Sequence, residues 1–117
     1  MEWEFKKNHT LGERQSESRQ ILEKYPDRVP IIVQKVPSST LPDIEKGKFL
    51  QPDDLTIAQF MYIVRKRINL PPEQTMFLFI QKRLPETSIT LQVVYDGNKD
   101  EDGFLYIAYS GENTFLG

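Results

Sequence analysis

The sequence predicts an α+β fold in which a mixed four-stranded sheet packs on one helix. Three observations lead there. Residues 57–68 place Ile57, Phe60, Met61, Val64 and Ile68 at helical spacing. Four short runs rich in β-branched and aromatic residues flank that segment, at 29–36 and 48–51 before it and at 76–80 and 104–109 after it. A chain of 117 residues suits one core, so these elements have to share it.

Each element has its own local signal. Thr10 followed by Glu13 matches a capping box, which starts a helix running from about Leu11 to Lys24. Tyr25-Pro26 ends it, because a residue before proline avoids the helical region. Its apolar content is thin (Leu11, Ile21, Leu22), so it is expected on the surface with a polar face free. The segment 3–8 admits a further short helix. Val29 to Val36 is nearly continuously apolar and reads as a buried strand, with Pro30 near its start, where a missing N–H is tolerated. Lys48 to Gln51 is a short strand ended by Pro52. Thr56 with Gln59 forms a second capping box, and Leu55 with Phe60 a hydrophobic staple, ahead of the core helix. Arg65-Lys66-Arg67 complements that helix's C-terminus, and Pro71-Pro72 prevents continuation. Leu91 to Tyr95 forms a short helix, and Asp96-Gly97-Asn98 and Asp102-Gly103 read as turns. The resulting order matches the ubiquitin β-grasp. The expected division is an N-terminal helical extension at 1–26, a β-grasp core at 27–110 and a flexible tail at 111–117.

Composition excludes several function classes. There is no Cys, hence no disulfide, thiolate zinc site or thiol nucleophile. The net charge of −2 makes no case for a nucleic-acid partner. Charge is nevertheless uneven: 12 Lys+Arg against 10 Asp+Glu in 1–67, then 3 against 7 in 68–117. A basic front half suits acidic partners. The single histidine, His9, lies in a charged stretch and supports no Ser–His chemistry. Asp100-Glu101-Asp102 lacks the alternating spacing of a calcium loop and reads as a solvated turn. No phosphate-cradling glycine loop occurs. A non-enzymatic protein without cofactor or metal is expected. No apolar run approaches the ~20 residues of a membrane span, and Met1-Glu2-Trp3-Glu4-Phe5 does not resemble a signal peptide. A cytoplasmic start is expected, with any membrane attachment added later.

Several segments together resemble the autophagy ubiquitin-like modifiers, of the GABARAP and GATE type. They are Lys24-Tyr25-Pro26-Asp27-Arg28-Val29-Pro30, Lys48-Phe49-Leu50 with Pro52, Gln59-Phe60, Ile63-Val64-Arg65-Lys66-Arg67, Asp100 to Tyr106, and Tyr109 to Phe115. The resemblance spans essentially the whole chain. It implies a β-grasp core with two added N-terminal helices and linkage of a C-terminal glycine, here Gly117, to phosphatidylethanolamine. The partners it implies are activating and conjugating enzymes of a ubiquitin-like cascade, a processing and delipidating cysteine protease, and cargo receptors. It places the lipidated form on autophagosome and other vesicle membranes. A glycine end suits this chemistry, because the missing side chain lets it thread a narrow enzyme channel. Leu116 departs from relatives that carry the reactive glycine directly after the aromatic residue.

The resemblance also implies capture of short aromatic-x-x-aliphatic peptides as an added strand beside Lys48–Gln51. A first pocket would be Glu17, Ile21, Pro30, Ile32, Lys48, Leu50 and Phe104. A second would be Phe49, Gln51, Pro52, Leu55, Phe60 and Ile63. Arg28, Lys46 and Arg67 would meet acidic residues flanking the motif. Taken alone, Ile32, Phe60 and Ile63 read as core. Lys48 amid apolar residues is the mark of a managed sheet edge. Gln51 stands where relatives carry an aliphatic residue and Gly47 where they carry a basic one. Met76–Ile80 resembles a further docking strand for ubiquitin-interacting helices. A rival reading is an unlipidated bridge to cargo or microtubules through the basic N-terminal half.

Overall fold

The computed structural model describes residues 1–115. In chain order its elements are α1 (Glu4–Asn8), α2 (Leu11–Lys24), β1 (Arg28–Lys35), β2 (Lys48–Pro52), α3 (Ile57–Arg67), β3 (Phe77–Phe79), α4 (Leu91–Asn98) and β4 (Leu105–Ser110). The sheet order is β2-β1-β4-β3. β1 runs parallel to β4 and antiparallel to β2, and β3 runs antiparallel to β4. This is the expected mixed sheet with helices, and it puts β2 at an edge.

Alternation along the strands sorts side chains between two faces. Val29, Ile31, Val33, Phe49, Leu78, Leu105, Ile107 and Tyr109 join α3 residues Ile57, Phe60 and Val64 in the main core. Ile32, Phe79 and Ala108 are buried on the outer face, toward the N-terminal segment. β1 is buried along most of its length because both of its faces are covered. Pro30 is tolerated there because it lies one residue before the parallel ladder begins at Ile31↔Leu105.

Both capping boxes form. Thr10 Oγ1 accepts from Glu13 N at 3.1 Å while Glu13 Oε1 accepts from Thr10 N at 2.7 Å. Thr56 Oγ1 accepts from Gln59 N at 3.2 Å while Gln59 Oε1 accepts from Thr56 N at 2.9 Å.

Three local expectations need correction, in whole or in part. Asp96-Gly97-Asn98 is no turn but the last part of α4. Gln92 Nε2 donates to Asp96 Oδ1 at 2.7 Å and Asn98 Nδ2 to Val94 O at 2.9 Å, so these polar residues support the helix end instead of breaking it. The Asp100–Asp102 segment turns as expected but is solvated only in part: Glu101 is exposed, while Asp102 is only 1% exposed. α2 keeps a free polar face at Glu13, Arg19, Gln20 and Glu23, but two of its polar residues, Arg14 and Ser18, are buried against that segment.

The attachment of α2 is therefore polar. Arg14 Nε donates to Asp102 Oδ2 at 2.8 Å, and the Ser18 hydroxyl donates to Asp102 O at 2.5 Å. Asp102 also accepts from Phe104 N at 2.8 Å and from the Tyr106 hydroxyl at 2.5 Å. Burial first, then the bond to Asp102 and its charge, hold the Tyr106 hydroxyl protonated well above the ordinary tyrosine range. Gly103 turns the chain at φ +89°, and a Cβ there would lie 2.3 Å from Ser18 Oγ, so this position requires glycine twice over.

Candidate functional site

Among the described residues, β2 pairs with β1 along one side and with no strand along the other. Its unpaired backbone groups form an edge that can accept one more strand. Lys48 and Pro52, at its two ends, are side chains that blunt such an edge.

The proposed first-pocket residues gather on the outer face beside that edge. Glu17 and Ile21 come from α2, Pro30 and Ile32 from β1, and Lys48 and Leu50 from β2. Lys48 Nζ bridges to Glu17 Oε2 at 2.6 Å, which ties the helix to the edge strand. Both partners are partly exposed, so the bridge adds little stability and can be rearranged. Ile32 is 5% exposed and Phe104 is fully buried, so they form the base of this group.

The structure adds residues that the sequence did not reveal. A groove of about 580 Å³ joins Ile32, Lys46 and Lys48 to Phe5 and His9 of the N-terminal segment. The Phe5 ring stands edge-on to Phe104 with centroids 5.0 Å apart, and Lys48 Nζ lies 5.0 Å from its centroid. One wall of the groove is thus aromatic and supplied by α1. Periodicity gives no hint of this, because α1 has five residues and none of them is buried.

The proposed second-pocket residues lie on the opposite, α3-facing side of β2. Phe49 and Phe60 pack edge-to-face with centroids 5.3 Å apart, and both belong to the core. Leu55 and Ile63 are partly buried above that core. Gln51 is half-buried and Pro52 exposed. Contact with a guest would therefore run through Leu55, Ile63, Gln51 and Pro52, over a base of Phe49 and Phe60.

Cations stand at both ends of the strand. Arg67 lies 4.4 Å from the Phe49 centroid, and its Nη1 donates to Lys46 O at 2.7 Å. That bond fixes an exposed guanidinium beside Lys46 and the start of β2. At the far end, exposed Arg28 is in register with Pro52 and rests 5.6 Å from the Tyr25 ring. Gly47 has a structural reason to be bare: its carbonyl accepts from Val33 N at 2.7 Å, and a Cβ there would sit 2.2 Å from Val33 O.

The remaining candidates are distributed differently. In the Met76–Ile80 segment, Met76, Leu78 and Ile80 belong to the main core and Phe79 is 2% exposed, leaving Phe77 as the half-buried member. Gly117 lies outside the described residues. Among the described residues, no three His, Asp or Glu side chains converge as a metal site, and no helix is long and apolar enough to cross a membrane. Asp100 and Asp102 are occupied by Lys6 and Arg14.

Comparison with known proteins agrees with this geometry. The family model described as autophagy protein Atg8, ubiquitin-like, matches residues 13–116. Autophagy-related protein 8B of Oryza sativa is 56% identical over 111 residues, covering 95% of this chain and 93% of its own length. Autophagy-related protein 8d of Arabidopsis thaliana is 53% identical over 111 residues, covering 95% and 92%. The crystal structure of Trypanosoma brucei ATG8 superposes with a TM-score of 0.92 at 41% identity, covering 98% of this chain and 99% of that one. Plasmodium falciparum Atg8, solved with a P. falciparum Atg3 peptide, superposes with a TM-score of 0.89 at 34% identity, covering 97% and 99%. These likenesses reach the family and stop short of the GABARAP-type subdivision. Fold, edge and relatives agree: the chain belongs to the Atg8 family of ubiquitin-like autophagy modifiers.

Proposed function

We propose that this Atg8-family modifier is joined through Gly117 to phosphatidylethanolamine and, once on the membrane, gathers receptors at the β2 edge. The observation that carries the docking half is the unpaired β2 edge, flanked by apolar side chains on both faces and by Arg28, Lys46 and Arg67 at its ends. An extended peptide added there gains main-chain hydrogen bonds, while alternate side chains meet opposite faces of the strand. Acidic residues outside the motif would face the cations. The Plasmodium relative with an Atg3 peptide supports docking of a conjugating enzyme on this family's surface.

The chain serves the cascade as substrate and tag. Autophagosome and vesicle membranes are where the lipidated form belongs. Two acyl chains, each methylene worth ~0.8 kcal/mol, hold a domain of this size firmly. The test is reconstitution with activating and conjugating enzymes, ATP and phosphatidylethanolamine vesicles, read by intact mass. The expected product carries one lipid and is absent when Gly117 is deleted. A lipidated product that persists without Gly117 refutes the assignment.

A further inference from the structure

Both ends of the described chain meet on the outer face of the sheet, apart from the main core. Val36, Phe79 and Ala108 form a small buried cluster there, and Met1, Trp3, Phe77 and Phe115 pack against it. The Phe115 ring stands edge-on to Phe79, with centroids 5.5 Å apart at 69°. Met1, Trp3, Lys6, Tyr106 and Phe115 line one cavity of about 490 Å³.

The N-terminal wall of that cavity is fastened by contacts that do not involve the tail. Gln34 Oε1 accepts from Glu4 N at 2.9 Å, and Gln34 Nε2 donates to Glu2 O at 2.8 Å. Lys6 Nζ pairs with Asp100 Oδ1 at 2.7 Å. Trp3 stands edge-on to Tyr106 at 5.0 Å. A helix of five residues is too short to persist alone, so these side-chain contacts set where α1 lies.

We propose that this face is an internal docking site for Phe115, that the N-terminal segment is one of its walls, and that release of α1 frees the tail for the conjugation enzymes. The inference rests on Gly117 being the residue conjugated. Gly117 follows Ser110 by seven residues but Phe115 by only two. A docked Phe115 therefore removes five of the seven residues of tether (7 − 2 = 5) that an enzyme could draw into its channel. One aromatic edge contact shifts an equilibrium by about two- to tenfold, enough to favour the docked form without locking it. Because α1 also walls the groove beside Lys48, displacement of α1 alters the groove and the tail together.

The test uses the full-length chain and Gln34→Ala. Gln34 does not line the Phe115 cavity, and its side chain bonds Glu4 N and Glu2 O, so its loss acts first on the N-terminal segment. Backbone ¹⁵N relaxation is expected to show order parameters at 113–115 falling from about 0.85 to below about 0.6, together with those of 3–8. Trp3→Ala, which removes the wall itself, should loosen 113–115 at least as much. With limiting enzyme, the initial conjugation rate of Gln34→Ala should rise about two- to tenfold. Order at 113–115 that survives the loosening of 3–8 overturns the coupling. A loosened tail with an unchanged rate overturns the gating. If the wild-type chain is not conjugated at Gly117 at all, the acceptor assignment fails, and the relaxation measurement still decides whether Phe115 docks through α1.

Discussion

Replacing Arg14 with Met isolates what holds α2 in place. The Arg14 side chain is 9% exposed and Asp102 has no exposed side-chain surface, so solvent screens this pair little. Removing one partner of a buried pair costs about 3–5 kcal/mol, because a charge is left without its counterion. Asp102 would keep the N–H of Phe104 and the Tyr106 hydroxyl as donors, which points to the lower end, about 3 kcal/mol. The apolar contribution of α2 is small, so the loss should appear as local detachment of this helix before global unfolding. Amide exchange across residues 11–24 is the assay, and about 3 kcal/mol corresponds to a roughly 100-fold loss of protection there. The double variant Arg14→Met, Asp102→Asn should recover much of that protection, because it removes the orphaned charge. Loss of less than tenfold in Arg14→Met, or strictly additive damage in the double variant, would refute the reasoning.

Other expectations concern the edge and the N-terminus. Gly47→Arg adds a basic side chain at the start of β2, yet its Cβ meets Val33 O, so stability should fall by about 1–3 kcal/mol in urea unfolding, with no gain in peptide affinity. Lys48→Glu places a second carboxylate beside Glu17 and should weaken an acidic aromatic-x-x-aliphatic peptide about tenfold by calorimetry; Ile32→Trp, which fills the base of the first group, should abolish that binding with the fold intact by circular dichroism. Burial acts to raise the Asp100 pKa, but the hydrogen bond and charge of Lys6 and the N–H of Asp102 outweigh it, so the carboxyl titrates below its ordinary value. The sign follows: the Lys6–Asp100 contribution is complete above the unfolded value near ~4 and fades as pH falls through the lower folded value. Trp3 fluorescence should therefore report loosening of α1 below about pH 4, and the Lys6→Ala variant should lose that transition.

The elements that were legible carry short-range signals. Thr10 with Glu13 and Thr56 with Gln59 mark helix starts within four residues, and both boxes form with the expected bonds. Lys48 announced an edge strand, and β2 is one. What escaped notice depends on distance along the chain. Arg14 and Asp102 are 88 residues apart, so nothing local shows that Arg14 and Ser18, among the polar residues of α2, are the ones that dock it. Asp96-Gly97-Asn98 has turn composition, but the i,i+4 bonds of α4 make those residues a helix end. Phe5 and Phe115 act where α1 and the tail fold back on the sheet, and only tertiary structure brings them there. The bareness of Gly47 answers to the carbonyl of Val33, a neighbour across the chain that composition cannot show.

Amide exchange of Lys48–Gln51 with and without a saturating aromatic-x-x-aliphatic peptide tests most directly whether this edge receives the guest. An added strand should slow the outward-facing amides of β2 by tenfold or more while the amides shared with β1 change little. A peptide that binds tightly yet leaves every β2 amide at its free rate would show that the guest docks elsewhere on the molecule.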